Sequence, residues 1–123
     1  MKFDDLSGKV IGCAIEVHRN LGPGLLESAY RICLAHELSV AGIQFQIELP
    51  QPLRYKEILL DCGYRLDVLV NRELLVETKA IEALLPIHHA QILTYMRLAK
   101  ISLGLLINFN VTKLQNGIKR FVL

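Results

Sequence analysis

Glu77 and Lys79 stand two apart in Leu74-Leu75-Val76-Glu77-Thr78-Lys79-Ala80, and residues two apart on a β-strand project from the same face. Asp67 lies ten residues before Glu77, in a second apolar run, Arg65-Leu66-Asp67-Val68-Leu69-Val70. A carboxylate from each of two apolar strands, with an ammonium beside the second, supplies what a divalent cation and a reacting phosphate together require. Two carboxylates completed by water suit Mg²⁺ or Mn²⁺, hard ions that bind oxygen at about 2.1 Å, better than zinc. Such an ion polarises a phosphoryl oxygen and lowers the pKa of a bound water, while Lys79 orients that water or offsets charge developing on phosphate. The chemistry this implies is metal-assisted hydrolysis of a phosphodiester. The plain alternative is an ordinary Asp67–Lys79 ion pair at a sheet margin.

The strands that carry these residues meet in a hairpin around Asn71 and Arg72, and its parity decides whether a site exists. A regular two-residue loop would pair Val70 with Glu73 and Leu66 with Glu77, placing Asp67 on the opposite face. An odd loop, or a bulge that inserts one residue, pairs Asp67 with Glu77 and lets the carboxylates converge. A functional site therefore demands an irregular hairpin, and no Asn-Gly or Asp-Gly fixes a regular one there.

Around this hairpin the pattern predicts an α/β domain. Leu6, Val10, Ala14, Val17 and Leu21 recur at helical spacing, giving a first helix from about Asp5 to Asn20. Gly22-Pro23-Gly24 breaks it, and Pro23 and Gly24 suit the start of a second helix that extends to about Val40, before Gly42. Phe45, Ile47 and Leu49 alternate with Gln46 and Glu48 in a half-buried strand ending at Pro50. An extended segment from about Leu53 to Leu60 folds at Tyr55-Lys56-Glu57; Tyr64 to Val70 and Leu74 to Lys79 form the hairpin. Pro86 marks a third helix ending near Lys100, and Ile101 to Phe109 reads as a buried strand. One helix between the Glu77 strand and that strand makes a parallel, right-handed crossover. Asn116-Gly117 resembles a hairpin turn leading into Ile118 to Leu123.

A chain of 123 residues without repeats or linkers fits one domain, residues 1–123. A hydrophobic fraction of 52% and a mean hydropathy of +0.35 imply strands buried on both faces, self-association or a partner subunit. No apolar run reaches the roughly 20 residues of a membrane span. Met1-Lys2-Phe3-Asp4-Asp5 lacks the apolar stretch of a signal peptide. Cys13, Cys33 and Cys62, odd in number and widely spaced, suit a reducing cytoplasm and read as small buried hydrophobes. Cys33 makes no convincing zinc site with His18 and His36. A net charge of +2 does not announce a nucleic-acid binder; Lys113, Lys119 and Arg120 fit a solvated strand edge or a phosphate path.

On the predicted third helix His88, Gln91 and Tyr95 fall at i, i+3 and i+7 and form one stripe. Gln91 would hold a water or a phosphate oxygen, Tyr95 would hydrogen-bond the same group or the lysine, and His88 offers proton transfer or, more plainly, a helix-start hydrogen bond. His89 points elsewhere, toward solvent.

Gly24-Leu25-Leu26-Glu27-Ser28-Ala29-Tyr30 matches the signature that names the GxxExxY proteins, a branch resembling the PD-(D/E)XK nuclease superfamily. The resemblance extends over almost the whole chain, through Leu21-Gly22-Pro23-Gly24, Gly63-Tyr64-Arg65-Leu66-Asp67, Val76-Glu77-Thr78-Lys79-Ala80, His88-His89-Ala90-Gln91 and Gly104-Leu105-Leu106-Ile107-Asn108-Phe109. It implies a restriction-endonuclease-like core, a mixed central sheet flanked by helices. Asp67, Glu77 and Lys79 would be the superfamily's acid, acid and lysine, and Glu27 the carboxylate that many members supply from a preceding helix. Leu66 replaces the proline that often precedes the first acid, and Gln91 and Tyr95 resemble the Gln-x-x-x-Tyr pair of exonuclease-like branches. Apart from the resemblance, Glu27 fits a capping-box position after Gly24, and Tyr30 either buttresses Glu27 or fills the core. The expected activity is a divalent-metal-dependent nuclease acting on DNA or RNA with Mg²⁺ or Mn²⁺. Its alternative is a non-catalytic nucleic-acid- or protein-binding regulatory module that keeps the fold.

Overall fold

The computed structural model describes residues 4–123. Asp4 caps the first helix, α1 (Asp5–Leu21), by accepting from the Ser7 N–H. The apolar stripe of α1 is buried at Val10, Ala14 and Val17. The second helix, α2 (Glu27–Val40), starts later than the sequence suggests. Gly24 takes φ +98°, a left-handed conformation favourable to glycine, so residues 22–26 form a loop and Glu27 is the first helical residue rather than the fourth position of a capping box.

The chain then supplies β1 (Phe45–Pro50), a small hairpin of β2 (Leu53–Tyr55) and β3 (Ile58–Leu60) turning at Lys56, β4 (Arg65–Val70) and β5 (Leu74–Lys79). Helix α3 (Pro86–Ala99) leads to β6 (Leu103–Asn108), and β7 (Ile118–Val122) closes the domain. The main sheet has five strands in the order β1-β4-β5-β6-β7, antiparallel except where β5 runs parallel to β6. The crossover through α3 thus has the predicted polarity. The connection from β6 to β7 is not the expected Asn116-Gly117 hairpin turn. A 3-10 turn, Leu114–Gly117, ends a longer excursion from Phe109, and Gly117 is required there because a Cβ would overlap the Asn108 carbonyl oxygen.

Helices α1 and α2 cover one sheet face, packing Tyr30, Leu34 and Leu38 against Val68, Val70, Val76, Leu105 and Ile107. Helix α3 covers part of the other, with Ile92 and Met96 against Leu66, Leu75 and Leu106. Both faces being covered accounts for the near-continuous apolar strands. In β4 the strand alternation fails. Leu66 and Val68 have the same parity yet belong to opposite faces, so β4 turns over at Asp67. The cysteines differ from expectation: Cys13 and Cys33 are half-buried and Cys62 is exposed. Arg120 is not a solvated edge residue but contacts Asp4 at 3.0 Å. Among the described residues no helix is long and apolar enough to cross a membrane.

Two outcomes follow from these contacts. Gly117→Ala must displace the end of β6, and overpacking of this kind costs about 1–3 kcal/mol, readable in urea denaturation. The Ser7 N–H, with Arg120 and the Ser7 hydroxyl, holds the Asp4 carboxyl down at about 2 from 3.8, against a smaller upward push from burial. A depressed acid stabilises fully above its unfolded pKa and loses that contribution as pH falls through the folded value. Asp4→Ala is therefore expected to lower stability by about 1 kcal/mol at neutral pH, as loss of an N-cap does. In parallel denaturation curves the difference from wild type should shrink between pH 4 and pH 2.

Candidate active site

The β4–β5 hairpin is irregular in the required way. Val70 pairs with Leu74, leaving a three-residue loop in which Asn71 and Arg72 take φ +52° and +55°. The register continues through Leu69–Leu75 to Val68–Val76, and the next position sets Asp67 opposite Glu77. There the backbone ladder stops and side chains take over. The Asp67 N–H donates to Glu77 Oε2 at 2.9 Å, while the Thr78 N–H donates to Asp67 Oδ2 at 2.9 Å and the Thr78 hydroxyl at 3.2 Å. Each acid occupies the backbone of the opposing strand, and the strands part by the width of their side chains.

Glu77 and Lys79 share parity with Leu75, on the α3 face, and Lys79 Nζ donates to Gln91 Oε1 of α3 at 3.1 Å. Asp67 lies in the seam between β4 and β5 rather than squarely on that face. Glu27 approaches from α2: burial and then the Asp67 carboxylate push its pKa up, while Lys79 and Arg31 oppose the shift. Glu77 is 3% exposed; burial, and after it the charge of Asp67, push its carboxyl up to about 8. Tyr95 is raised by burial and by Glu77, which keeps its hydroxyl protonated and able to donate. Its ring centroid lies 6.1 Å from that of Tyr64.

The two histidines at the start of α3 are engaged in contacts of their own. His88 Nδ1 accepts the Leu85 N–H at 2.9 Å, the helix-start bond. His89 does not simply face solvent. It packs edge-on against Phe121 at 5.6 Å, and its Nε2 is buried with no hydrogen-bond partner. Tyr30 combines its two expected roles. Its ring stacks on Phe109 at 4.6 Å, and its hydroxyl donates to the Gly22 carbonyl at 2.6 Å and accepts the Leu25 N–H at 3.1 Å. It thus fixes the loop that delivers Glu27.

Sequence reasoning gave no role to Thr78, Asn108, Arg31 or Glu48. Asn108, 1% exposed at the end of β6, accepts the Ile81 N–H at 3.1 Å and donates to the Ile81 carbonyl at 2.9 Å, tying down the chain just after Lys79. The available signal was a polar residue terminating an apolar strand. Arg31 follows Glu27 at i+4, a spacing that brings opposite charges together on a helix.

Among the described residues no group of three or more His, Cys, Asp or Glu side chains stands placed to hold a metal ion. Asp67 and Glu77 nevertheless suit a hard divalent cation in donor type, both being oxygen ligands, and in charge. Three neighbouring carboxylates face one ammonium, and the charge of Asp67 adds to burial, the larger cause, in pushing Glu77 and Glu27 up.

A mixed sheet whose central strands part around two acids, with a lysine two residues beyond the second, defines a nuclease-type core. A profile of the PD-(D/E)XK nuclease superfamily matches residues 4–121, and the chain belongs to that superfamily. No curated protein and no solved structure gives a significant match.

Tyr30→Phe keeps the ring stack and removes both hydroxyl bonds. At about 1 kcal/mol per bond, it should lose roughly 1–2 kcal/mol, and hydrogen exchange should speed up at residues 22–26 before the sheet is affected.

Proposed function

We propose that this protein is a Mg²⁺- or Mn²⁺-dependent nuclease that hydrolyses phosphodiester bonds in DNA or RNA, of the GxxExxY branch. The observation that carries this reading is the exchange where β4 and β5 part, in which Glu77 accepts the Asp67 N–H and Asp67 accepts the Thr78 N–H, together with Lys79 held by Gln91 two residues beyond Glu77. Asp67 and Glu77 would hold the cation, with Glu27 joining them. Bound there, it would supply Lewis acidity to the phosphoryl group and a more acidic water.

The chain's own residues do the rest. Gln91 anchors the Lys79 ammonium on the α3 face, where it offsets negative charge gathering on phosphate. Tyr95 contributes a protonated hydroxyl as a hydrogen-bond donor to the same group. Thr78 orients Asp67 through two bonds, so the first acid is positioned before any substrate arrives. Three free cysteines support a cytoplasmic setting. Exposed Leu26, Ile32, Val40 and Ile87 support self-association or a partner subunit.

The test is cleavage of labelled single- and double-stranded DNA and RNA with Mg²⁺ or Mn²⁺, for wild type and Lys79→Met. Wild type should cut, and Lys79→Met should remain folded while cutting ~100-fold more slowly or worse, as on removal of an oxyanion-hole donor. Wild-type rates in Lys79→Met would exclude the catalytic lysine. A wild type inert on every substrate would favour a binding or regulatory module.

A further inference from the structure

Arg31 lies one turn after Glu27 on α2, and the reaction proposed above gives it no task. Its side chain is 15% exposed, with Nη2 3.2 Å from Glu48 Oε1 and Nη1 3.8 Å from Glu27 Oε1. These contacts differ in kind. The shorter is a charge-assisted hydrogen bond; at the longer distance only Coulombic attraction remains. Arg31 Nε is buried without a hydrogen-bond partner, so the guanidinium has donor capacity left over.

Glu48 is unusual in its own right. It takes φ +50° in the interior of β1, between Ile47 and Leu49, which pair with Val68 and Leu66. A non-glycine residue in that conformation persists only where its surroundings hold it, and such positions gather at functional sites. The pairs on either side of Glu48 bracket Asp67 on β4, the point at which β4 turns over. The distortion that sends Asp67 into the seam is therefore matched on the neighbouring strand by one at the residue that grips Arg31.

We infer that Glu48 acts as a clamp on Arg31 and so positions Glu27. Glu48 keeps the guanidinium paired, so that Glu27 is only loosely held by Arg31 and is free to exchange it for a divalent cation. This inference rests on the cation site proposed above. Without Glu48, the carboxylate next nearest to Arg31 is Glu27, and a two-bond pair between them would withdraw Glu27 from the cation. Glu48 is thus a positioning residue, acting on Glu27 by holding Arg31. A simple surface ion pair predicts otherwise: removing either partner would leave cation affinity alone.

The two readings separate in a double-variant cycle. Cation affinity is measured from the shift of the melting temperature with Mn²⁺ and by calorimetry, on wild type, Glu48→Gln, Arg31→Met and the double variant. Melting without Mn²⁺ reports folding. Loss of an outer partner of a metal ligand weakens affinity by roughly 10–100-fold, and Glu48→Gln should fall in that range. Adding Arg31→Met removes the competitor, and the double variant should return to within about threefold of wild type. If Glu48→Gln does not fold, Glu48→Asn, which tolerates positive φ, carries the same expectation. A Glu48 variant with wild-type affinity, or a double variant as weak as Glu48→Gln alone, overturns the clamp. A wild type that ignores Mn²⁺ overturns the proposed function and the clamp with it, whereas a responsive wild type beside an unchanged Glu48→Gln overturns the clamp alone.

Discussion

Asp67 and Glu77 each satisfy a backbone N–H of the opposing strand, and the candidate site depends on that exchange. A sheet that continued its ladder through this point would have no room for two acids. By substituting carboxylate oxygens for carbonyl oxygens, β4 and β5 part without leaving either of these two donors unmet, a requirement that is strict inside a sheet covered on both faces. The same substitution keeps two negative charges close together in a poorly solvated place. Lys79 offsets part of that charge, and burial together with the charge of Asp67 pushes the Glu77 pKa up.

The surrounding structure serves this seam. Tyr30 secures the loop before Glu27, Asn108 secures the chain after Lys79, and Gln91 fixes the ammonium from α3. These anchors come from three elements that meet at the end of the sheet where β4 begins and β5 finishes. Rigid elements thus hold the acids and the lysine, as precise chemistry requires. The hairpin of β2 and β3 hangs from the same end, with Tyr55, Ile58 and Leu59 more than half exposed.

Much of this was legible in the residues. Apolar periodicity located α1, the end of α2, and the strands from β4 to β6, because burial on one or both faces leaves a period that composition cannot hide. Parity alone required an odd hairpin if Asp67 and Glu77 were to meet, and Asn71 and Arg72 adopt the positive φ angles that make it one. What escaped depends on contacts between distant segments. The turnover of β4 at Asp67 and the strain at Glu48 have no local signature, since Leu66-Asp67-Val68 and Ile47-Glu48-Leu49 both alternate normally. Pro23 misplaced the start of α2 because Gly24 needed a left-handed conformation first. The bond of His88 to Leu85 was not visible either, because helical spacing reports a face and not a hydrogen bond.

The central claim is that the seam between β4 and β5 is built to receive a divalent cation. Calorimetric titration of chelator-stripped protein with Mn²⁺ tests it most directly, with Asp67→Asn as the comparison because Asn keeps an oxygen that can accept the Thr78 N–H. Saturable binding by wild type and its loss in a folded Asp67→Asn variant is the predicted result. No binding by wild type, or equal binding by both proteins, would contradict the account.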